Sequence, residues 1–312
     1  MVAPALRIIS LLPSATEMVC AVGAAAELVG ISHECDYPEE IRDRPVLTAA
    51  RISPLGTSRA IDAAVRAVVH EALSIYAVDE RTLGELAPDV IVTQDLCEVC
   101  AVSLDDVRSA VARLAHRDSV RIVSLSPTRL EHVWGDIQTV ASALGRPQRG
   151  AEVRAELEAR VRAIAERAAM ATSRPRVVSI EWLDPIMLGG TWMPELIALA
   201  GGTPVGASAG QPAPTVTAEA LAKLEPDVVV VKPCGFTLAR TMEERGIIEE
   251  TIAGAVSAAG SRIYVSDGNA FFNRPGPRLV ESLEIMAACV HPELFEDFAV
   301  KHTAALHALP LR

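Results

Sequence analysis

The chain has 312 residues, half of them hydrophobic, 22% charged, with a net charge of −11. That balance excludes a disordered chain and leaves room for two cores of ordinary size. The acidic surplus argues against a nucleic-acid surface, and no apolar run approaches the length of a membrane-spanning helix.

The N-terminus, MVAPALRIISLLPSATE, enters a strand at 7–12 almost at once. No basic stretch, apolar run and cleavage site precede it, and no lipoprotein signal. The expectation is a cytoplasmic protein as the sequence stands, or an extracytoplasmic one if an export signal was removed. A helix at 15–23 follows, where Ser14 and Thr16 suit a cap or present free N–H groups to an anion. Next come a strand at 28–32, a helical stretch at 59–73, a helix at 80–86 and a strand at 89–94. A helix at 103–116, a strand at 120–125 and a helix within 127–144, with Trp134 and Val140 on its apolar side, complete this part. Strands alternating with helices predict a parallel sheet covered on both faces.

From Pro147 to Met170 the sequence is rich in Ala, Glu and Arg. Val153, Leu157, Val161 and Ile164 keep helical spacing, and Glu152, Glu156 and Glu158 are placed to pair with arginines one turn on. About 22 residues of helix span roughly 33 Å. The alternation then resumes: strand 176–181, helix 192–200 closed by Gly201-Gly202, helix 217–224, strands 227–232 and 262–266, and helix 276–289.

The two halves share a vocabulary. LGELAPDVIV at 83–92 returns as LAKLEPDVVV at 221–230, each reading as a helix end, a Pro-Asp stop and a buried strand. Arg7-Ile8-Ile9-Ser10 returns as Arg176-Val177-Val178-Ser179, and Arg121-Ile122-Val123-Ser124 as Arg262-Ile263-Tyr264-Val265-Ser266. The helix beginning near Glu17 returns near Glu195. Segments repeated in one order predict a structural duplication. The expected organisation is an N-terminal α/β lobe at 1–145, an inter-lobe helix at 146–172 and a C-terminal α/β lobe at 173–312. Two such lobes predict a cleft for a ligand.

Ligands of open parallel sheets bind beyond the carboxyl ends of the strands. The candidates there are Ser14; His33, Cys35, Asp36 and Tyr37; Gln94, Asp95 and Cys97; Trp182 and Trp192; Cys234 and Phe236; and Asn269 and Phe271. Aromatic residues are only 4% of the chain, yet Tyr37, Trp182, Trp192, Phe236, Phe271 and Phe272 all fall in these loops. Such a concentration favours a large, flat, partly apolar ligand.

Of six cysteines, Cys20 and Cys289 sit in apolar helical patterns as small core residues. Cys35, Cys97, Cys100 and Cys234 lie in loops. With His33 they suit zinc or an iron–sulfur cluster, Cys97-x-x-Cys100 equally suits a redox pair, and packing accounts for Cys35 and Cys234 as well. Asp36, Asp95, Glu98 and Asp184 come without a nucleophile–base pair or a Gly-rich phosphate loop, so an enzyme is not expected.

The segments RIISLLPSATEMVCAVG, LVGISHECDYP, PDVIVTQDLCEVCAVS, LGGTWMPELIALAGG, PDVVVVKPCGF and DGNAFFNRPGPRLVESLEI resemble the cobalamin-binding substrate-binding proteins of ABC importers, within the iron-siderophore/cobalamin group. The resemblance runs from residue 7 to about 292. It implies the class III fold, two Rossmann-like lobes with parallel sheets joined by one long α-helix. It also implies a corrinoid held between the lobes against aromatic side chains, with Trp192 matching the cleft tryptophan. A monomer docking on an ABC permease is implied too, with Glu195 as the acid of the second lobe; in the first lobe Asp62 and the neighbouring Arg59 leave that acid unassigned. The alternatives are a siderophore or haem as ligand, or a cytosolic metal- or redox-active protein using the loop cysteines.

Overall fold

The computed structural model describes residues 5–51, 55–70, 76–95, 104–114, 119–256 and 260–310. They form two compact units. The first comprises Met1–Gly56, Ala60–Pro127 and Glu131–Glu156, and the second Thr57–Arg59, Thr128–Leu130 and Leu157–Arg312.

The first part of the chain runs β1 (Ile8–Ser10), α1 (Pro13–Ala21), β2 (Leu28–Ile31), β3 (Thr48–Ala50), α2 (Ser58–His70), β4 (Tyr76–Val78) and α3 (Glu80–Leu86). It continues through β5 (Val90–Gln94), α4 (Leu104–Ala112), β6 (Arg121–Leu125) and α5 (Leu130–Ala143). Four strands form a parallel sheet in the order β2-β1-β5-β6. Every residue of β1 and β5 is buried, as a sheet covered on both faces requires. Ile9, Leu11 and Ile91 pack with Val107, Ala110 and Val111 of α4. β3 and β4 form a separate antiparallel pair, too short and too mixed in composition to stand out as strands in the sequence.

Helix α1 begins two residues earlier than the spacing predicts, with Pro13 in its first turn, where a missing N–H costs nothing. Ser14 is therefore inside the helix rather than a cap, and Leu12 holds the N-cap position without a side-chain hydrogen bond.

Helix α6 (Pro147–Ala169) is one continuous element of 23 residues, contributing to the first unit up to Glu156 and to the second from Leu157. Its predicted apolar stripe, Val153, Leu157, Val161 and Ile164, is buried. The charge pairing runs the other way from expectation: Arg149 Nη1 lies 3.3 Å from both Glu152 and Glu156, one and two turns after it. Gly150 permits close approach to α5, since a Cβ there would come within 2.4 Å of the Ala141 Cβ.

The second unit holds β7 (Arg176–Trp182), β8 (Ile186–Leu188), α7 (Met193–Leu199), β9 (Thr203–Pro204), β10 (Thr215–Val216), α8 (Ala218–Ala222) and β11 (Val228–Val231). Short helical turns α9 (Leu238–Glu243), α10 (Arg245–Ile247) and α11 (Gly254–Val256) precede β12 (Arg262–Ser266), α12 (Leu279–Val290), α13 (Glu296–Lys301) and β13 (Leu306–Leu309). Strands β9, β7, β11 and β12 are parallel neighbours in that order, the arrangement of β2, β1, β5 and β6. The second sheet adds antiparallel β8 and β10 on one side and β13 on the other.

The repeated Pro-Asp phrase has one physical job in both units. Asp89 Oδ2 accepts the Arg7 N–H at 2.9 Å, and Asp227 Oδ2 accepts the Arg176 N–H at 2.7 Å. The Arg7 guanidinium donates to the last-turn carbonyl of Leu86 at 2.8 Å, and that of Arg176 to Leu224 at 2.7 Å. Arg121 and Arg262 then cap the C-termini of α5 and α12, reaching Ala143 O at 2.8 Å and Val290 O at 2.9 Å. Each staple ties the start of the parallel strands to helix ends whose carbonyls lack partners.

Candidate functional site

Since these staples hold the amino ends of the strands, the carboxyl ends are where the two units differ. In the second unit, β7 ends on Glu181-Trp182, β11 leads into Lys232–Phe236, and β12 into Asp267–Arg274. These three segments converge. The rings of Trp182 and Phe236 lie 5.2 Å apart. Phe236 O accepts the N–H groups of Gly268 and Asn269 at 2.9 and 3.0 Å. Gly268 is required there, because a Cβ would fall 2.1 Å from Pro233 O.

An ion pair between the fully buried Lys232 and the half-buried Glu181 locks the segments together. Lys232 Nζ donates to Glu181 Oε2 at 3.2 Å and to Asn273 Oδ1 at 2.9 Å. Asn273 Nδ2 donates in turn to Lys232 O and Gly268 O. A buried ammonium is tolerable only with such partners. The other cations of this edge are also occupied. The Arg240 guanidinium stacks 4.2 Å from the Phe236 ring centre while donating to Glu244 at 2.8 Å, and Arg278 lies 4.6 Å from that of Phe271 and 3.7 Å from Glu281. Trp182 Nε1 is buried without a hydrogen-bond partner among the described residues.

Of the predicted residues here, Trp182 and Phe271 are half-buried, Phe236 is buried, Asn269 accepts from the buried Arg274 at 3.2 Å, and Cys234 is exposed. Trp192 is 95% buried, and its Nε1 donates to Phe272 O at 2.8 Å. Its indole therefore supports the 267–274 segment from beneath. Glu195 is half-buried and engaged: Oε2 accepts the Leu130 N–H at 3.0 Å, with Arg129 3.6 Å from Oε1. Asp62 accepts from Arg66 at 2.7 Å, and Arg59 pairs with Asp184 at 2.7 Å.

The corresponding edge of the first unit is polar and small. Thr16 Oγ1 donates to Ser10 Oγ at 2.8 Å and lies 3.1 Å from Cys35 Sγ, which is 3.4 Å from Ser32 Oγ. Cys35 is buried in this hydroxyl cluster. His33 is exposed beside it, with Nδ1 2.7 Å from Thr48 Oγ1 and its ring 5.1 Å from that of Tyr76. Tyr37 is exposed, Asp36 half-buried, Ser14 and Gln94 buried, and Asp95 exposed. Cys97 and Cys100 lie outside the described residues. Among the described residues, no three His, Cys, Asp or Glu side chains form a metal-binding group. Cys20 and Cys289 are half-buried and buried. Burial, followed by the nearby carboxylates of Glu40 and Glu17, pushes the Cys20 thiol up to about 12.

Sequence reasoning named Lys232 and Asn273 as loop residues but not as site residues. The signal was a lysine directly following Val228–Val231, which puts its stem in the core. Thr48 and Tyr76, the partners of His33, carried no comparable signal. Two depressions of the first unit, lined by residues such as Glu80 and Arg113 or Arg7 and Arg121, include none of the predicted site residues.

Two α/β units on one plan, with aromatic and polar groups gathered at strand carboxyl ends, describe a two-lobed binding protein. The chain belongs to the periplasmic binding protein family, whose model matches residues 8–262. An uncharacterised ABC transporter substrate-binding lipoprotein of Bacillus subtilis is 23% identical over 297 residues, covering 93% of this chain and 82% of the relative. A vitamin B12-binding protein of Yersinia pestis is 25% identical over 228 residues, covering 72% and 69%. A solved periplasmic heme binding protein from Pseudomonas aeruginosa superimposes with a TM-score of 0.68 at 19% identity, covering 98% of this chain and 95% of that one. The fold is the class III periplasmic-binding-protein fold, with parallel sheets in two lobes.

Proposed function

We propose that this protein is the substrate-binding component of an ABC uptake system and that its substrate is a corrinoid, bound without chemical change. The observation that carries the reading is the carboxyl edge of the second unit. Trp182, Phe236 and Phe271 offer aromatic surface to a large ring, while Lys232, Arg240 and Arg278 already have carboxylate partners. An edge whose Lys232, Arg240 and Arg278 are each paired with a carboxylate suits the amide-fringed, largely uncharged rim of a corrinoid better than the carboxylates of haem. The similarity to a vitamin B12-binding protein and to an ABC transporter lipoprotein supports the same reading.

Calorimetric titration with cyanocobalamin, and competition with ferric haem, tests it. Binding with a Kd below roughly 10 μM, about −7 kcal/mol, is expected. Trp182→Ala should weaken it by about 2 kcal/mol. Absence of heat up to high micromolar ligand overturns the corrinoid reading, and markedly tighter haem binding replaces it with haem.

A further inference from the structure

In the second unit the ring of Phe271 is held by two side chains. The Arg278 guanidinium lies 4.6 Å from its centre, and the imidazole of His302 stands nearly perpendicular to it, at 79°, with 5.8 Å between centres. Phe271 itself is half-buried, whereas His302 is buried. A buried imidazole needs a partner, and His302 Nε2 donates to Glu284 Oε2 at 2.7 Å. Glu284 lies on α12 and is fixed in turn by Lys301, at 2.6 Å, and by Arg160, at 2.9 Å. One turn earlier on α12, Glu281 lies 3.7 Å from Arg278. Both groups that hold Phe271 are thus oriented by carboxylates of one helix. That helix also holds the backbone beside the ring: Ser282 Oγ accepts the Phe272 N–H at 2.8 Å, while Trp192 Nε1 donates to Phe272 O at 2.8 Å. Phe272 is fully buried at a φ of 65°, a left-handed conformation that a bulky side chain adopts only where its surroundings enforce it. Strain of this kind gathers at ligand clamps.

Resting on the role of Phe271 as aromatic surface for the corrinoid, we propose that His302 is a positioning residue of the binding site. Buried, it acts through Phe271 rather than by touching the ligand. Held by Glu284, its imidazole restrains the neighbouring ring, which therefore waits in its bound orientation instead of being ordered at binding. Ordering a side chain on binding costs affinity, so a ring fixed beforehand binds more tightly. Arg278 supplies the second wall of the same clamp.

The test separates this role from plain structural support. His302→Gln keeps a donor for Glu284 but removes the ring beside Phe271, whereas His302→Ala removes both. Urea unfolding should show His302→Gln close to wild type and His302→Ala destabilised. In titrations with cyanocobalamin both should bind about fivefold more weakly, and in a Phe271→Ala background His302→Gln should change the affinity by less than about twofold. Full affinity in His302→Gln, or an undiminished loss in the Phe271→Ala background, overturns the proposal while leaving corrinoid binding intact. Crystals of the ligand-free protein give a readout that needs no ligand: the Phe271 ring should be fixed in wild type and spread over several positions in His302→Gln. A ring that stays in place overturns the proposal whatever the protein binds. Failure of wild type to bind cyanocobalamin overturns the corrinoid reading, and the ring positions alone then decide the role of His302.

Discussion

The two units agree at one end of their sheets and diverge at the other. At the amino ends, Asp89 and Asp227 accept the same backbone N–H, and Arg7 and Arg176 cap equivalent helix carbonyls. At the carboxyl ends, the first unit has hydroxyls and a thiol around Thr16 and Cys35, where the second has an aromatic pair and a buried lysine. The duplicated plan keeps its structural fastenings and varies the edge where ligands bind in such sheets.

The sharpest way to break this contrast is to truncate the buried Trp192 beneath that edge. Trp192→Ala removes a buried indole and the bond to Phe272 O, and should destabilise the second unit by about 3–5 kcal/mol in urea unfolding. Thr16→Val, in the first unit's cluster, should cost about 1 kcal/mol. Equal losses would refute the asymmetry.

The units should also differ in the sign of their response to acid. Glu284, 4% exposed, is pushed up by burial, but His302, Lys301 and Arg160 overcome this and hold it at about 2. Its folded value lies below the unfolded value of about 4.3. Its contribution, roughly 3 kcal/mol, is therefore complete above that value and is lost as pH falls toward 2. Asp136 in the first unit is the reverse case: desolvation raises its carboxyl to about 7. Stability from its neutral form is complete below the unfolded value of about 3.9 and lost as pH rises through 7. Glu284→Gln should flatten the acid limb of a stability–pH profile. Asp136→Asn should raise stability at pH 8 by about 1–2 kcal/mol. A profile unchanged by either substitution would remove the distinction.

The smallest effects test the shared end. Asp89→Ala and Asp227→Ala should each cost about 1 kcal/mol, since both aspartates are exposed and each substitution removes the acceptor of one backbone hydrogen bond. Hydrogen exchange at Arg7 and Arg176 should quicken to a similar degree. A large loss in one unit alone would show that the repeated phrase does unequal work.

Much of this was legible in the chain. Apolar β-branched runs bounded by Pro-Asp or Gly located the strands, because a buried parallel strand needs such a run. The 3.6-residue period located α6, and the repeated phrases announced two units. Local signals failed where the partner is remote in sequence. Nothing near Trp192 foretells that its Nε1 serves a carbonyl 80 residues on. Likewise, nothing near Glu195 foretells that its carboxylate receives the Leu130 N–H.

What the sequence alone determined is the alternation of strand and helix and the doubling of that plan, because hydrophobic periodicity and turn chemistry act over a few residues. The tertiary structure decided which loop residues support and which remain available. Trp192 became a buried support, Trp182 kept an indole N–H with no hydrogen-bond partner among the described residues, and Lys232 was enclosed between Glu181 and Asn273. His33 acquired Thr48 and Tyr76 through a strand pair too short to read in advance. The physical reason is that burial and hydrogen-bond partnership are set by segments far apart in the chain, so residues of one type in equivalent loops receive different roles.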